Sequence, residues 1–413
     1  MDYIINGGIR LSGEIADYGA KNCALALLGA TVLTDEQIVL YNCPSIVDVE
    51  NMLLLLSAMG KRIVRRGDTV SVSGALTTTS APRALANLLR GSALILGSTV
   101  AKYNQISLPL PGGCAIGARP MDIHLKGLKA LSVTVESSAD QVVCHGKAIG
   151  ARYNLRFASV GATENLLCAC ALANGESVLT NCATEPEVTA LEELLVKMGA
   201  KLHGIGTSKV VIVGVDKLHG AEFDVIPDRI VAATYISATV ATLGDVTVTN
   251  CNPLHMQAFL DLLSPRVQVK QYADAVRVVA KDTPRGYATV VTAPYPEFAT
   301  DMQSLMLTLA ACSNGETQIC EKLFENRLQH NAQELNKMGA HITVNGDVAT
   351  VSGSKLHGAA VASHDLRGGA GLVIAALNAD GASTVSGIEH VNRGYVNLAQ
   401  NLISLGADIT VGT

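Results

Sequence analysis

One phrase returns along this chain and limits what it can fold into. A helix-like run closes on Leu-x-x-Met/Leu-Gly-Ala, and a short alternating strand follows. Copies occupy residues 195–200, 335–340 and 402–407, with a fourth at 56–60 that lacks the final alanine. Degenerate copies lie at 128–132 and 263–267. The spacing is roughly 70 residues, so six units fill the chain. The glycine after each clear copy suits a left-handed helix cap. The alternation that follows, as in His341-Ile342-Thr343-Val344, predicts a half-buried strand.

A second phrase, a helix start rich in small residues, opens each unit. It reads Gly19-Ala20-Lys21-Asn22, Leu89-Arg90-Gly91-Ser92, Gly161-Ala162-Thr163-Glu164-Asn165, Pro227-Asp228-Arg229-Ile230, Thr300-Asp301-Met302-Gln303 and Leu366-Arg367-Gly368-Gly369. The helices that follow are apolar on most faces, as in 166–172 and 305–311, so they are expected to be buried. Buried helices under strands predict an inside-out α/β architecture, with sheets facing water and helices facing each other. The last unit stops after one strand, Ile409-Thr410-Val411, and residues 3–13 resemble 210–220. The N-terminus is therefore expected to complete the sixth unit. Two domains follow: 21–226 with units one to three, and 1–20 plus 227–413 with units four to six. Two chain crossings between them predict a hinge, with a ligand cleft beside it.

A length of 413 residues accommodates two or three ordinary domains, and 48% hydrophobic residues mark a globular chain. The formal net charge of -5 gives no footprint for nucleic acid. No apolar stretch of transmembrane length is free of breaks, so no membrane partner is expected. The ten cysteines lack metal-ligand spacing, which predicts reduced thiols, no metal and a cytoplasmic protein.

Charged residues gather at the unit starts: Lys21, Arg90, Asp228, Asp301, Asp365 and Arg367. An aspartate there is an ordinary N-cap in most helices. A base there opposes the helix dipole, so Lys21, Arg90 and Arg367 point to anion binding. The sharpest local motif is Leu110-Pro111-Gly112-Gly113-Cys114-Ala115-Ile116-Gly117-Ala118-Arg119-Pro120-Met121-Asp122-Ile123-His124. Its glycines and prolines predict a long loop with Cys114 exposed near the tip, and Arg119 would favour the thiolate. The motif reads either as a plain turn or as a lid carrying an acid or nucleophile.

That loop resembles the catalytic loop of the UDP-N-acetylglucosamine 1-carboxyvinyltransferase family. The resemblance continues, in order, through Gly19 to Asn22, Ser159 to Thr163, Glu185-Pro186-Glu187, Pro227 to Ile230, Phe298 to Gln303, Phe324 to Arg327, Asp365 to Arg367 and Asn392-Arg393-Gly394-Tyr395. It covers essentially the whole chain. It implies a two-domain inside-out α/β barrel and transfer of the enolpyruvyl group of phosphoenolpyruvate to the 3-hydroxyl of UDP-N-acetylglucosamine. That reaction is the first committed step of peptidoglycan synthesis, and it uses no cofactor. The resemblance further implies that Lys21, Arg119 and Arg393 hold the phosphate and carboxylate of phosphoenolpyruvate, with Arg90 and Arg367 nearby. Cys114 would be the acid and Asp301 the group beside the attacking hydroxyl, as base or as orienter. Asn22 would contact the sugar. Arg119, Pro120, Asp122, His124, Ser159, Val160, Gly161 and Leu323 would line the nucleotide pocket. Asp228, Arg327 and Asp365 complete the substrate-binding set.

The chain departs from the family pattern on the nucleotide side. The lysine expected before Ser159-Val160-Gly161 is replaced by Phe157, an aromatic residue by Leu94, and an aspartate before Arg393 by Asn392. Gly368-Gly369 is looser than the usual helix start. Arg156 would point away from the position of Phe157 if the segment were extended. These departures leave open an enolpyruvyl transferase acting on another uridine nucleotide, or a non-catalytic paralogue.

Overall fold

The computed structural model describes residues 1–109, 121–324 and 326–412. They fall into two compact bodies. The first comprises residues 19–109 and 121–226, the second residues 1–18 and 227–412.

Each body carries three sheets around three inner helices. In the first body the inner helices are Lys21–Ala30, Ile95–Tyr103 and Val160–Ala171; in the second they are Arg229–Ala241, Gln303–Ala311 and Leu366–Asn378. All residues of Arg229–Ala241 are buried, as a helix apolar on most faces requires. The inner helices touch almost backbone to backbone. A Cβ on Gly97 would lie 1.9 Å from the carbonyl oxygen of Asn165, and one on Gly371 would lie 2.9 Å from Thr308 Oγ1. Small residues at these points are a packing requirement, because a side chain would force the helices apart.

The sheets show how the repeats interlock. A central strand carries an antiparallel hairpin on one side and a parallel edge strand on the other. In the first body Ile38–Tyr41 receives Ala221–Asp224, and Glu176–Thr180 receives Arg152–Asn154. The middle sheet has three strands, and its parallel edge is a single bridge between Ser80 and Ser107. In the second body Asp245–Thr249 receives Ser12–Ala16, Glu316–Cys320 receives Ala288–Val291, and Ala382–Ser386 receives Ala360–Ala362. Each edge strand comes from the end of the preceding repeat, so the exchange closes in threes within each body.

The N-terminus is divided between two repeats. Asp2–Asn6 lies antiparallel between Ala382–Ser386 and Asp408–Gly412, completing the sixth sheet. Ser12–Ala16 serves the fourth sheet instead. The break between them has a steric cause. A Cβ on Gly7 would sit 2.2 Å from the carbonyl oxygen of Ala379, and Gly8 has φ +83°.

The left-handed caps occur where the repeat phrase places them. Gly60, Gly199, Gly339 and Gly406 have φ of 116°, 98°, 89° and 102°. Of the two degenerate copies, the first keeps the left-handed position with Ser132 at φ 65°, and the second, ending at Val267, does not. A second repeat is carried by Asn-Cys. Asn42, Asn181 and Asn250 follow central strands with φ of 53°, 56° and 51°. Each side-chain amide donates to the carbonyl just past the parallel edge strand, at Val225, Leu155 and Asp17. The next residues, Cys43, Cys182 and Cys251, are buried. Three of the scattered cysteines thus mark one structural position. No helix among the described residues is long and apolar enough to cross a membrane.

Candidate functional site

In the first body Lys21 is the first residue of its inner helix, and no side chain caps that helix. Its Nζ lies 3.2 Å from Asp48 Oδ2, a carboxylate 5% exposed. Asn22 Nδ2 donates to Glu187 Oε1 at 3.4 Å. Asp48 and Glu187 are on the outer helices Val47–Ala58 and Pro186–Lys197. Asp48 escaped the sequence reading, and Glu187, in a segment that carries the resemblance, drew no role there, because an acid in a first turn passes for a dipole partner. The repeat would have exposed them: each stands five residues after the cysteine of an Asn-Cys pair.

The candidate nucleotide residues form a second group in this body. Asp122 opens the helix Asp122–Ala130, and Ser159 precedes the inner helix Val160–Ala171 without making a side-chain cap. Asn165 Nδ2 reaches His124 Nδ1 at 3.0 Å and the Gly161 carbonyl at 3.1 Å. Burial pushes the His124 imidazole down to about 4 against the opposing pull of Asp122, so the ring is neutral near pH 7. A Cβ on Gly161 would lie 3.2 Å from His124 Cε1, so glycine lets the ring settle over the helix start.

Arg156 and Phe157 occupy a bend, not an extended segment, and this removes the alternation argument made from sequence. Arg156 Nη2 pairs with Asp122 Oδ2 at 2.8 Å, while Phe157 is 41% exposed. Leu94 ends the short helix Arg90–Leu94. Cys114, Arg119 and Pro120 lie outside the described residues, as does the side chain of Arg90.

The second body places Asp301 among cations. Arg327, 2% exposed, donates from Nη2 to Asp301 Oδ1 at 2.9 Å and from Nη1 to Thr300 Oγ1 at 2.9 Å. Arg367 Nη2 lies 3.9 Å from Asp301 Oδ2, and its Nη1 donates to Tyr395 Oη at 3.3 Å. Burial opposes the Arg367 charge, but Tyr395, Asp301 and Asp228 outweigh it and raise its pKa. Tyr395 Oη in turn meets Thr234 Oγ1 at 2.9 Å. Glu321 fixes the neighbouring turn. It accepts from Thr300 Oγ1 at 2.7 Å and from the Leu323 and Phe324 amides at 2.8 and 3.2 Å.

Asp228 and Asp365 both cap inner helices. Asp228 accepts from the Ile230 and Val231 amides, and Asp365 from those of Arg367 and Gly368. Arg393 lies in the turn after the short helix Ile388–Val391. The structure therefore joins Asp301, Arg327 and Arg367 in one network, and Lys21 and Asn22 to two acids to which sequence reasoning gave no role.

Comparison with known proteins extends this picture along the whole chain. The sequence profile of the EPSP synthase (3-phosphoshikimate 1-carboxyvinyltransferase) family matches residues 5–402. UDP-N-acetylglucosamine 1-carboxyvinyltransferase 2 of Caldanaerobacter subterraneus is 40% identical over 98% of each chain. UDP-N-acetylglucosamine 1-carboxyvinyltransferase of Finegoldia magna is 40% identical over 98% of this chain and 97% of its own. The crystal structure of the enolpyruvyl transferase NikO from Streptomyces tendae superposes with a TM-score of 0.89 at 26% identity, covering 99% of this chain and 98% of its own. By these full-length matches the chain belongs to the EPSP synthase family and, within it, to the UDP-N-acetylglucosamine 1-carboxyvinyltransferases.

Proposed function

We propose that this protein transfers the enolpyruvyl group of phosphoenolpyruvate to the 3-hydroxyl of UDP-N-acetylglucosamine, releasing phosphate, as the first committed step of peptidoglycan synthesis. The observation that carries this reading is the 40% identity, over nearly the full length, to two enzymes bearing that activity in their names. The 3-hydroxyl oxygen attacks C2 of the enol phosphate and gives up its proton to the phosphate group that later departs, while Cys114 delivers a proton to C3, giving a tetrahedral phospho-ketal. Loss of a C3 proton and cleavage of the C2–O bond to phosphate then restore the carbon–carbon double bond. Lys21, Arg119 and Arg393 take the anionic groups of phosphoenolpyruvate, and guanidinium forks suit both of them.

Asp301 acts as an orienter of the attacking hydroxyl. A carboxylate anchored by Arg327 and facing Arg367 is held in place, where it can receive a hydrogen bond from the attacking hydroxyl. Arg327 is too buried to meet the substrate itself and acts through Asp301. Asp228 and Asp365 act by fixing helix starts. Phosphate release from phosphoenolpyruvate plus UDP-N-acetylglucosamine tests the whole reading. No release with both present at saturation overturns it. Cys114→Ala should abolish turnover, and Asp at the same position should retain part of it.

A second acceptor is favoured by one observation: Phe157, 41% exposed, stands where the family resemblance implies a lysine for the diphosphate. A lysine–phosphate hydrogen bond is worth about 1.5–3 kcal/mol, roughly ten- to a hundredfold in affinity. If UDP-N-acetylglucosamine is the acceptor, Phe157→Lys should tighten it by that factor. If the acceptor is another uridine nucleotide with one phosphate, the same change should weaken that nucleotide instead.

A further inference from the structure

Asn165 is fully buried on an inner helix, and both polar atoms of its amide have partners. Its Oδ1 accepts from the Gly97 amide at 2.7 Å. Its Nδ2 donates to the Gly161 carbonyl at 3.1 Å and meets His124 Nδ1 at 3.0 Å. Two backbone groups of opposite character therefore fix the amide. A flipped Asn165 would set its oxygen against the Gly161 carbonyl and its NH2 against the Gly97 N–H. The Gly97 amide reaches Asn165 Oδ1 only because the two helices approach so closely there, with no side chain on Gly97 to hold them apart.

With the amide fixed, His124 Nδ1 faces an N–H and must present its lone pair. The proton of the neutral ring is then on Nε2. Among the described residues Nε2 has no hydrogen-bond partner. Burial supports the same state by holding the ring neutral, down to about 4.

We propose that Asn165 is a positioning residue for nucleotide binding: it fixes His124 as the Nε2–H tautomer, so that the ring presents a hydrogen-bond donor to an acceptor oxygen of the nucleotide. The proposal rests on the reading above that His124 lines the nucleotide pocket. Its first half is independent of any ligand.

The test is long-range nitrogen–proton NMR of the histidine rings in the intact protein at pH 7, with the His124 signals assigned by their loss in His124→Gln. The expected result is a protonated Nε2 and an unprotonated Nδ1. In Asn165→Asp, the carboxylate takes the Nδ1 proton in a hydrogen bond. The tautomer should then switch or the ring become doubly protonated, and UDP-N-acetylglucosamine should bind about tenfold or more weakly. A protonated Nδ1 in the neutral wild-type ring overturns the assignment, and it does so whether or not the variant folds. An unchanged tautomer in folded Asn165→Asp overturns the role of Asn165. Ring signals that stay in place while the nucleotide saturates the protein overturn the role of His124 in the pocket. Failure of the nucleotide to bind wild type at all would instead overturn the functional reading, leaving the tautomer result standing.

Discussion

The two bodies share one repeat pattern but balance their buried charges differently. Among the described residues, the first body buries five acids, Asp48, Glu164, Glu185, Glu187 and Glu192, with Lys61 as the one buried base. The second buries three arginines, Arg229, Arg327 and Arg367, beside Asp17, Asp228, Glu321 and Glu334. Their helix starts differ in the same sense. Lys21–Ala30 and Val160–Ala171 begin without a side-chain cap, whereas Arg229–Ala241 and Leu366–Asn378 begin on aspartate caps and Gln303–Ala311 alone among the inner helices of the second body begins without one. An uncapped start keeps its N–H groups and partial positive charge for a ligand. A capped start has spent them, and cationic side chains must supply what the backbone no longer offers.

The largest expected effect lies in the second body. Arg327→Met removes the donor to Asp301 and Thr300 and should lower stability by about 1.5–3 kcal/mol, the usual worth of a hydrogen bond to a charged group, because the Asp301 carboxylate is part-exposed. Denaturant unfolding reads this. A loss under about 1 kcal/mol would mean that the network contributes like an exposed pair, and the contrast between the bodies would fail.

The first body should respond in the opposite direction. Burial raises the Glu192 carboxyl to about 7; the Gly206 amide opposes the rise and Glu193 adds to it. Its folded value is above the unfolded one, so its stability contribution is complete below about 4.5 and is lost as pH rises through about 7. Glu192→Gln, which keeps an acceptor for the Gly206 amide, should therefore match wild type near pH 4.5. At pH 8 it should be more stable, by about 3 kcal/mol at most. Equal stability at both pH values would show that Glu192 is ionised in the fold without penalty.

The caps give a smaller and more direct contrast. Asp365→Ala should cost about 1 kcal/mol, the ordinary value of an N-cap. Ser159→Ala should cost nearly nothing, because its hydroxyl makes no cap bond. Thermal unfolding of the two variants side by side would break the comparison if the losses were equal.

The repeats made the inner helices, the strand alternation and the left-handed glycines legible, because each rests on local periodicity or backbone sterics. The route of the N-terminus was less legible. Asp2–Asn6 and Ser12–Ala16 look like one block in sequence, and only pairing with distant strands separates them. Charge partners were the least legible. Lys21 and Asn22 stood out as charged or polar groups at a helix start, but Asp48 and Glu187 are set opposite them by tertiary packing. Asn165 stood in a helix-start phrase but gave no sign of its role, since a buried amide is read only from its partners.

The smallest effect concerns a place where the repeat itself is imperfect. Four copies of the helix end use glycine at the left-handed position, and the copy in the first body's middle repeat uses Ser132 at φ 65°. A side chain pays about 1–2 kcal/mol there, because its Cβ crowds the following carbonyl. Glycine relieves that crowding but loses more backbone freedom on folding, by roughly 0.5–1 kcal/mol. The two terms leave a net gain, so Ser132→Gly should stabilise the protein by about 0.5 kcal/mol. The reverse exchange should be larger and opposite. Gly199→Ser imposes the same backbone strain, and its Cβ would also meet the His219 ring at 3.0 Å. Chemical unfolding of the pair measures both. A destabilised Ser132→Gly would show that the serine is held by its surroundings and that this copy of the repeat has departed from the others in its packing as well as its sequence.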